Sequence, residues 1–472
     1  MSMTKTELRE KIEEWFDIHG DEMIEDLGRL IGINSVRGAA EDGAPFGSGP
    51  KAALMLVSEI LEKRGHKTDI FEEIIMTSNI GPLPPLMGIL AHVDTVGVGD
   101  GWDSDPFEMT IKDGSIFGRG ATDNKGPAIA SLYAMLCANE ICPDLSSGFQ
   151  LILGSGEEMG CQDIAQYLEK NEPPPNVFTP DADYPIVNTE KGRITPFFGA
   201  SWEKDTALPK VVSITGGSTT NVVPNLAQAV IEGFSLDDVA EHCRRYSVNA
   251  NTSAEASMDG ELIVITVEGT STHAATPDLG ANAQTALLEL LASMPFAKSD
   301  GFDYICALCR LFPHGDYFGS ALGIEMSDNI SGKLTVNFGV LRFSEIEFSG
   351  NFDSRTPACA DDVDLLGMVR GAFSREGIEM TNHTINSCHH TPQDSPFVQT
   401  LLGIYEAYTG KDRECLCVGG QTYVHEIPGG VAFGTGEAGV DNRIHGANEF
   451  IGIEQLLTSA KMFAQAILEM CL

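Results

Sequence analysis

Leu86-Met87-Gly88-Ile89-Leu90-Ala91 is an uninterrupted apolar run that ends at His92. A run this short, with no alternating polar residues, reads as a strand buried on both faces, the kind found in parallel sheets covered by helices. Outward from it, strands and helices take turns. Before it, Thr4 to Ile31 carries apolar residues at helical spacing until Gly32-Ile33-Asn34 breaks the pattern; Pro50 to Arg64 reads as a helix and Thr68 to Ile75 as a strand. After it come a helix over Gly126 to Glu140, a strand over Gln150 to Leu153, a helix over Gln162 to Lys170 and a short strand at Val177-Phe178. This alternation predicts an α/β domain with a mostly parallel sheet and flanking helices.

The style changes near Lys191. Strands are expected at Lys210 to Thr215, Leu226 to Glu232, Glu261 to Glu268 and Leu334 to Val340, with helices near Ser235 to Tyr246 and Ala283 to Ser293. Beyond about Asn386 the first style returns, with a helix over Ser395 to Tyr408, a buried strand over Gly430 to Gly434 and an amphipathic helix from about Glu449 to Met470. The expected organisation is therefore a discontinuous α/β domain, residues 1–190 and 387–472, interrupted by an α+β insert over 191–386. No internal repeat or low-complexity tract suggests a solenoid or propeller.

Composition narrows the function classes. Of 472 residues, 42% are hydrophobic, enough for a large core, and 30 Lys plus Arg against 68 Asp plus Glu leave a formal charge of -38. Such a surface repels phosphate backbones and anionic lipid, so neither nucleic acid nor a membrane is expected as a partner. The first thirty residues hold no apolar signal region, and no run of roughly 18 apolar residues occurs. Eleven cysteines without regular spacing fit reduced thiols and a cytoplasmic location; Cys306 and Cys309, the one Cys-x-x-Cys pair, lack a matching second pair for structural zinc. Signatures of P-loop nucleotide hydrolysis, His-Glu-x-x-His proteolysis and Gly-x-Ser-x-Gly esterases are missing, and Gly47-Ser48-Gly49-Pro50 reads as a turn into the next helix.

Ligands of open parallel sheets collect at the carboxyl ends of the strands. Five such places carry side chains able to bind metal: His92 and Asp94; Asp123, just before a helix; Glu157 and Glu158; Asp181 and Asp183; and His445. Singly, a strand-end histidine is commonly structural and a loop aspartate is commonly a helix cap. Jointly, such a concentration of carboxylates and imidazoles would repel itself unless divalent cations neutralised it, so two ions could be held.

The order and wording of these motifs resemble the dinuclear-zinc aminoacylase and carboxypeptidase G family, and most closely its bacterial PepV-type dipeptidase branch. The resemblance rests on Ala91-His92-Val93-Asp94, Asp100 to Phe107, Gly118-Arg119-Gly120 through Asp123-Asn124-Lys125-Gly126-Pro127, Glu157-Glu158, Pro180 to Pro185 and Glu190-Lys191-Gly192. It continues through Asn221-Val222-Val223-Pro224, Gly269 to His273, Arg355-Thr356-Pro357, Gly419-Gly420-Gln421-Thr422-Tyr423 and His445 to Glu449. Asn124 departs from it, standing where the family commonly has a second aspartate.

The resemblance implies that Asp123 bridges two divalent ions, zinc before manganese or cobalt, with His92 and Asp181 on one and Glu158 and His445 on the other. Asp94 would orient His92, and Glu157 would be the general base. In the insert, acting as a lid, His273 would stabilise the oxyanion with Asn221 assisting, Arg355 would pair with a substrate carboxylate, and Gly420 and Thr422 would contact substrate. The implied activity is hydrolysis of dipeptides or short peptides with a free N-terminus. An N-acyl amino acid deacylase using the same residues is the enzymatic alternative, with Asp183 a candidate to receive the substrate ammonium that would separate the two. A non-catalytic metal-dependent binding protein is the third reading, disfavoured because binding needs no base at Glu157. The long insert implies a self-sufficient monomer.

Overall fold

The computed structural model describes residues 3–247 and 251–472. The chain falls into two compact units, one built from the residues up to Thr189 with His389–Leu416 and Gln421–Leu472, the other from Glu190–Cys388 with Cys417–Gly420. Four residues of the tail thus group with the second unit, a return that no change of pattern in the sequence marks.

In the first unit, Pro85–His92 lies in the middle of the main sheet, parallel to Gly148–Gly154 on one side and to Asn176–Thr179 on the other. Asn176–Thr179 runs parallel to Val431–Ala432 in turn. The flanks are antiparallel: Ile75–Ile80 pairs with Gly148–Gly154, Thr68–Phe71 with Ile75–Ile80, and Ala432 with Val187. Met87 to His92 are all buried, as a central strand covered on both faces requires.

Three elements differ from expectation. The strand expected over Thr68 to Ile75 is a strand, a turn and the start of a second strand, because Glu72 and Glu73 adopt left-handed backbone with φ of 46° and 62°. Nothing in a Glu-Glu pair announces that conformation, which Gly, Asn and Asp ordinarily supply. The strand expected over Gly430 to Gly434 is only Val431–Ala432. The closing helix begins at Ile453, and Phe450–Gly452 instead pairs antiparallel with Ser115–Phe117, itself paired with Thr110–Lys112. This small sheet seats the tail beside the loop at Gly118, whose N–H donates to the Glu449 carbonyl at 3.1 Å.

The helix Lys125–Ile141 is buried on nearly every side, which its Ala-rich sequence permits, and shares one core with Lys5–Ile31 and Ile453–Cys471. Thr4 starts the first of these through a capping box with Glu7. None of the helices among the described residues is long and apolar enough to cross a membrane.

The second unit holds an eight-stranded antiparallel sheet in the order Ser253–Asp259, Leu262–Glu268, Leu226–Glu232, Lys210–Gly216, Thr335–Phe343, Glu347–Thr356, Gly192–Ser201 and Glu379–Asn386. Alternate residues such as Ala227, Ala229, Ile231, Ile263, Ile265 and Val267 are buried, and they join Leu287, Leu290 and Leu291 of the helix Ala283–Ala292 in one core. Alternation of this kind is what a sheet with one covered face produces.

Candidate metal centre

The five strand-end loops of the first unit do converge. His92 is the last residue of its strand, Asp123 closes the loop before Lys125–Ile141, Glu158 follows Gly148–Gly154, and Asp181 follows Asn176–Thr179. His445 comes from the loop between Thr435–Gly436 and Phe450–Gly452, in which Arg443, His445 and Asn448 all have φ near +60°. Three non-glycine residues in that region mark a loop held in a costly shape by its surroundings.

Among the described residues, two groups of side chains could each hold a metal ion: His92, Asp123 and Asp181, and Asp123, Glu158 and His445, with the ligand atoms of each within 4.8 Å of one another. Asp123 belongs to both. Its Oδ1 lies 3.1 Å from His92 Nε2 and its Oδ2 lies 3.0 Å from His445 Nε2. Asp181 Oδ2 is 3.5 Å from His92 Nε2, and Glu158 Oε2 is 3.2 Å from His445 Nε2. The contacts of His92 Nε2 leave it without a hydrogen-bond partner among the described residues although it is buried, and Glu158 Oε1, the oxygen turned away from His445, is buried and without one too. Buried polar atoms aimed at a common point but not at each other fit a cation at that point. Three nitrogen and oxygen donors per ion, with one carboxylate shared, suit a pair of divalent ions and leave coordination positions open.

The electrostatics tell the same story. Burial alone would push the His92 imidazole down, yet Asp123, Asp181 and Asp94 hold it well above its ordinary value. Asp123 and Glu158 raise His445 to about 10. Burial raises Glu157, Glu158 and Asp181, the last with help from the Asp123 charge, whereas His445 and His92 outweigh burial and lower Asp123. The cluster thus draws positive charge to itself, and protons on the two imidazoles stand where cations would otherwise serve.

A family model described as Peptidase family M20/M25/M40 matches residues 88–469. The chain belongs to this family. It is 34% identical over 456 residues to "Putative dipeptidase YtjP" of Bacillus subtilis (strain 168), covering 95% of this chain and 97% of that one. It is 32% identical over 460 residues to "Putative dipeptidase" of Staphylococcus epidermidis (strain ATCC 12228 / FDA PCI 1200), covering 96% and 97%. The crystal structure of human carnosine dipeptidase 1 superposes with a TM-score of 0.58 at 16% identity, covering 98% of each chain, a likeness of fold.

Around the M20 family ligand groups lies a set of buried residues that fixes their loops. Asp94 accepts from the backbone N–H groups of Glu157 and Glu158 at 3.3 and 3.2 Å, and His92 Nδ1 lies 3.1 Å from the Asp94 carbonyl and 3.4 Å from its carboxylate. Asn124 donates to Asp181 at 3.0 Å and to the Pro180 carbonyl at 3.1 Å. An aspartate in its place would have no proton to donate unless protonated, so the departure from the family's wording has a use here. Glu157 belongs to neither ligand group, and Asp183 is exposed and also belongs to neither.

Four residues of this surround escaped the sequence reading: Arg119, Glu449, Asp163 and Tyr423. The Glu449 carboxylate is wholly buried and accepts from the N–H groups of Gly120, Thr122 and Asp123 at 3.1, 2.9 and 3.0 Å. Arg119 Nη1 donates to it at 2.6 Å, while Nη2 reaches the carbonyls of Gly97, Val98 and Gly446 at 3.2, 3.3 and 3.1 Å. One ion pair therefore ties together the loops that carry Asp94, Asp123 and His445. Asp163 accepts from Ser155 and Gly156 N–H at 2.7 and 2.8 Å and from the Tyr423 hydroxyl at 2.5 Å. A Cβ on Gly154 would come within 2.1 Å of that hydroxyl, so only glycine lets the strand end approach so closely. The sequence signals were present, since Arg119, Glu449 and Tyr423 lie inside the quoted motifs, but no role was assigned to them there.

The remaining candidates lie on the second unit, apart from Thr422, which begins the short 3-10 turn Tyr423–Glu426 of the first. Val222 and His273 form a β-bridge, and Ala274 N–H donates to the Asn221 carbonyl at 2.9 Å, so Asn221 and His273 stand on adjoining backbone. His273 Nδ1 accepts from Ala275 N–H at 3.2 Å. Arg355 Nε donates to Asp353 Oδ1 at 2.7 Å and Nη1 donates to the Gly419 carbonyl. Gly420 is exposed.

Proposed function

We propose that this M20 family chain is a metal-dependent dipeptidase, hydrolysing the peptide bond of dipeptides and short peptides that carry a free N-terminus. The observation that carries this is Asp123, shared between two ligand groups, with Glu157 beside them and outside both. In this reading His92, Asp123 and Asp181 hold one ion, and Asp123, Glu158 and His445 hold the other. Zinc suits the nitrogen and oxygen donors best, with manganese and cobalt as alternatives. When bound, the ions would supply Lewis acidity toward the scissile carbonyl and acidify a water molecule.

The residues do the rest. Glu157 receives the proton of the attacking water on its carboxylate and returns it to the leaving amine, a task that requires a carboxylate not tied up as a ligand. Asp94 holds His92 through Nδ1, which leaves Nε2 for the metal. The second unit is read as a lid. His273 accepts at Nδ1, so its proton resides on Nε2, where it can donate to the developing oxyanion. Loss of surrounding water, and after it the Arg355 charge, hold its imidazole below the ordinary value, which keeps the ring neutral at pH 7. Asn221 assists at the oxyanion, Arg355 meets the substrate carboxylate, and Gly420 and Thr422 contact the substrate. That none of the eleven cysteines is in a disulfide supports a cytoplasmic location, and the size of the second unit supports a monomer.

The test is amine release from a panel of dipeptides and matched N-acetyl amino acids, using chelator-stripped protein reloaded with zinc, manganese or cobalt in turn. Cleavage confined to dipeptides is expected. Cleavage of the acetylated set alone would move the activity to a deacylase, and silence from every metal form would overturn the enzymatic reading.

A further inference from the structure

One spot on the second unit holds more positive charge than its own carboxylate balances. Arg193 and Arg355 are direct partners in the antiparallel pairing of Gly192–Ser201 with Glu347–Thr356. Like charges placed opposite each other in a sheet repel. Asp353, two residues before Arg355 and so on the same face of the strand, is wholly buried and lies against both. It is engaged twice by Arg355, at 2.7 Å from Nε and 3.2 Å from Nη2. That bidentate pair already matches one carboxylate to one guanidinium. Arg193 is the surplus: its Nε lies 2.7 Å from Asp353 Oδ2 yet finds no hydrogen-bond partner among the described residues, and its side chain is only 30% exposed. In a chain of net charge -38, two guanidiniums on one buried carboxylate form a local excess of one positive charge, largely out of water. Such an arrangement is unfavourable unless an anion completes it.

We propose that Arg193 is a specificity-determining residue, which with Arg355 forms a two-guanidinium seat for the free carboxylate of the peptide substrate, Asp353 holding the pair in register. The proposal rests on the dipeptidase reading and adds to it. Arg355 is expected from the family resemblance, whereas the quoted Glu190-Lys191-Gly192 stops one residue short of Arg193. A carboxylate is the fitting ligand because it takes two N–H donors in parallel from a planar fork, which neither a neutral amide nor a hydroxyl does as well.

The experiment compares the metal-loaded full chain with Arg193→Gln and Arg193→Lys on a dipeptide and on the same dipeptide carrying a C-terminal carboxamide. The parent should favour the carboxylate form, with a KM that rises with salt. Arg193→Gln should raise KM for the dipeptide by about ten- to a hundredfold, the value of one charge-assisted contact, with kcat within about twofold and the carboxamide unaffected. Arg193→Lys, which keeps the charge without the fork, should fall between and still discriminate, and it serves should the glutamine variant not fold. Equal losses on both substrates, or an unchanged KM for the dipeptide, would make Arg193 a structural partner of Asp353 and overturn the proposal while leaving the dipeptidase standing. A parent that cleaves no dipeptide would overturn the dipeptidase reading itself, and the seat with it.

Discussion

Replacing Glu449 with Gln tests whether the centre is held in shape by the ion pair beneath it. The carboxylate uses one oxygen for the N–H groups of Thr122 and Asp123 and the other for Gly120 N–H and Arg119. A glutamine has one acceptor oxygen, so whichever way it turns, its NH2 group faces two donors. Removing one partner of a buried ion pair costs about 3–5 kcal/mol. Arg119 keeps its contacts to the carbonyls of Gly97, Val98 and Gly446, which places the expected loss at the lower end, about 3 kcal/mol. At roughly 2–4 °C per kcal/mol for a unit of this size, the melting of the first unit should fall by about 6–12 °C. The same change loosens the loop that presents Asp123, the residue common to both ligand groups, so metal affinity should fall by about ten- to a hundredfold, as when the hydrogen-bonded support of a ligand is removed. Thermal unfolding with and without metal, and competition for zinc against a chromogenic chelator, read the two effects separately. A variant that melts lower but binds zinc within twofold of the parent would refute the positioning argument and leave Glu449 a purely structural residue.

Three further outcomes are expected. Glu157→Gln should lower turnover by about 10²–10⁴ with metal content near that of the parent, measured by rate assay and elemental analysis on one preparation; a variant keeping most of its rate would end the general-base role. His273→Ala should lower kcat by about two to three orders of magnitude, and an unchanged rate would make it an ordinary loop residue. Asp163 is raised to about 6 by burial and then by the charge of Asp94, so the folded chain holds its proton more tightly than the unfolded chain. Its contribution to stability is therefore full below pH about 4 and is lost as pH rises through about 6, a change of about 3 kcal/mol. Asp163→Asn has no such titration. Compared in chelator, the variant should gain on the parent by that amount between pH 4 and 7, and a constant gap in melting temperature would show that the carboxyl titrates normally.

The placement of the candidate ligands was legible because it depends on short-range patterns. An apolar run closed by His92 predicts a central strand and the direction in which its end points, and the same holds for Glu158 and Asp181. What the residues alone did not separate is Glu157 from Glu158; that distinction came from the family resemblance, and in the structure Glu158 falls in one of the groups that could hold a metal ion and Glu157 in neither. Glu449 shows the opposite limit. An acidic residue at the start of an amphipathic run is ordinarily a helix-start signal. Its actual place, wholly buried against Arg119, depends on a partner 330 residues away and on the pairing of Phe450–Gly452 with Ser115–Phe117. The turn at Glu72 and Glu73 was hidden for another reason: its backbone angles are imposed by the pairing of the two strands it joins, not by the residues in it.

The three buried acids around the centre divide its support among different loops, and Asp94 joins functions that the others keep apart. Glu449 holds the loop of Asp123, and Asp163 holds the strand end at Ser155 and Gly156. Asp94 faces His92 Nδ1 with the same carboxylate that accepts from the N–H groups of Glu157 and Glu158. It therefore fixes His92 and Glu158, two of the proposed ligands, and Glu157, the proposed base, relative to each other in a single contact set. Loosening Glu449 should weaken metal binding, and removing the Glu157 carboxylate should stop turnover with metal in place. A change at Asp94 reaches both, because the residue that sets the tautomer of His92 also sets where Glu157 stands.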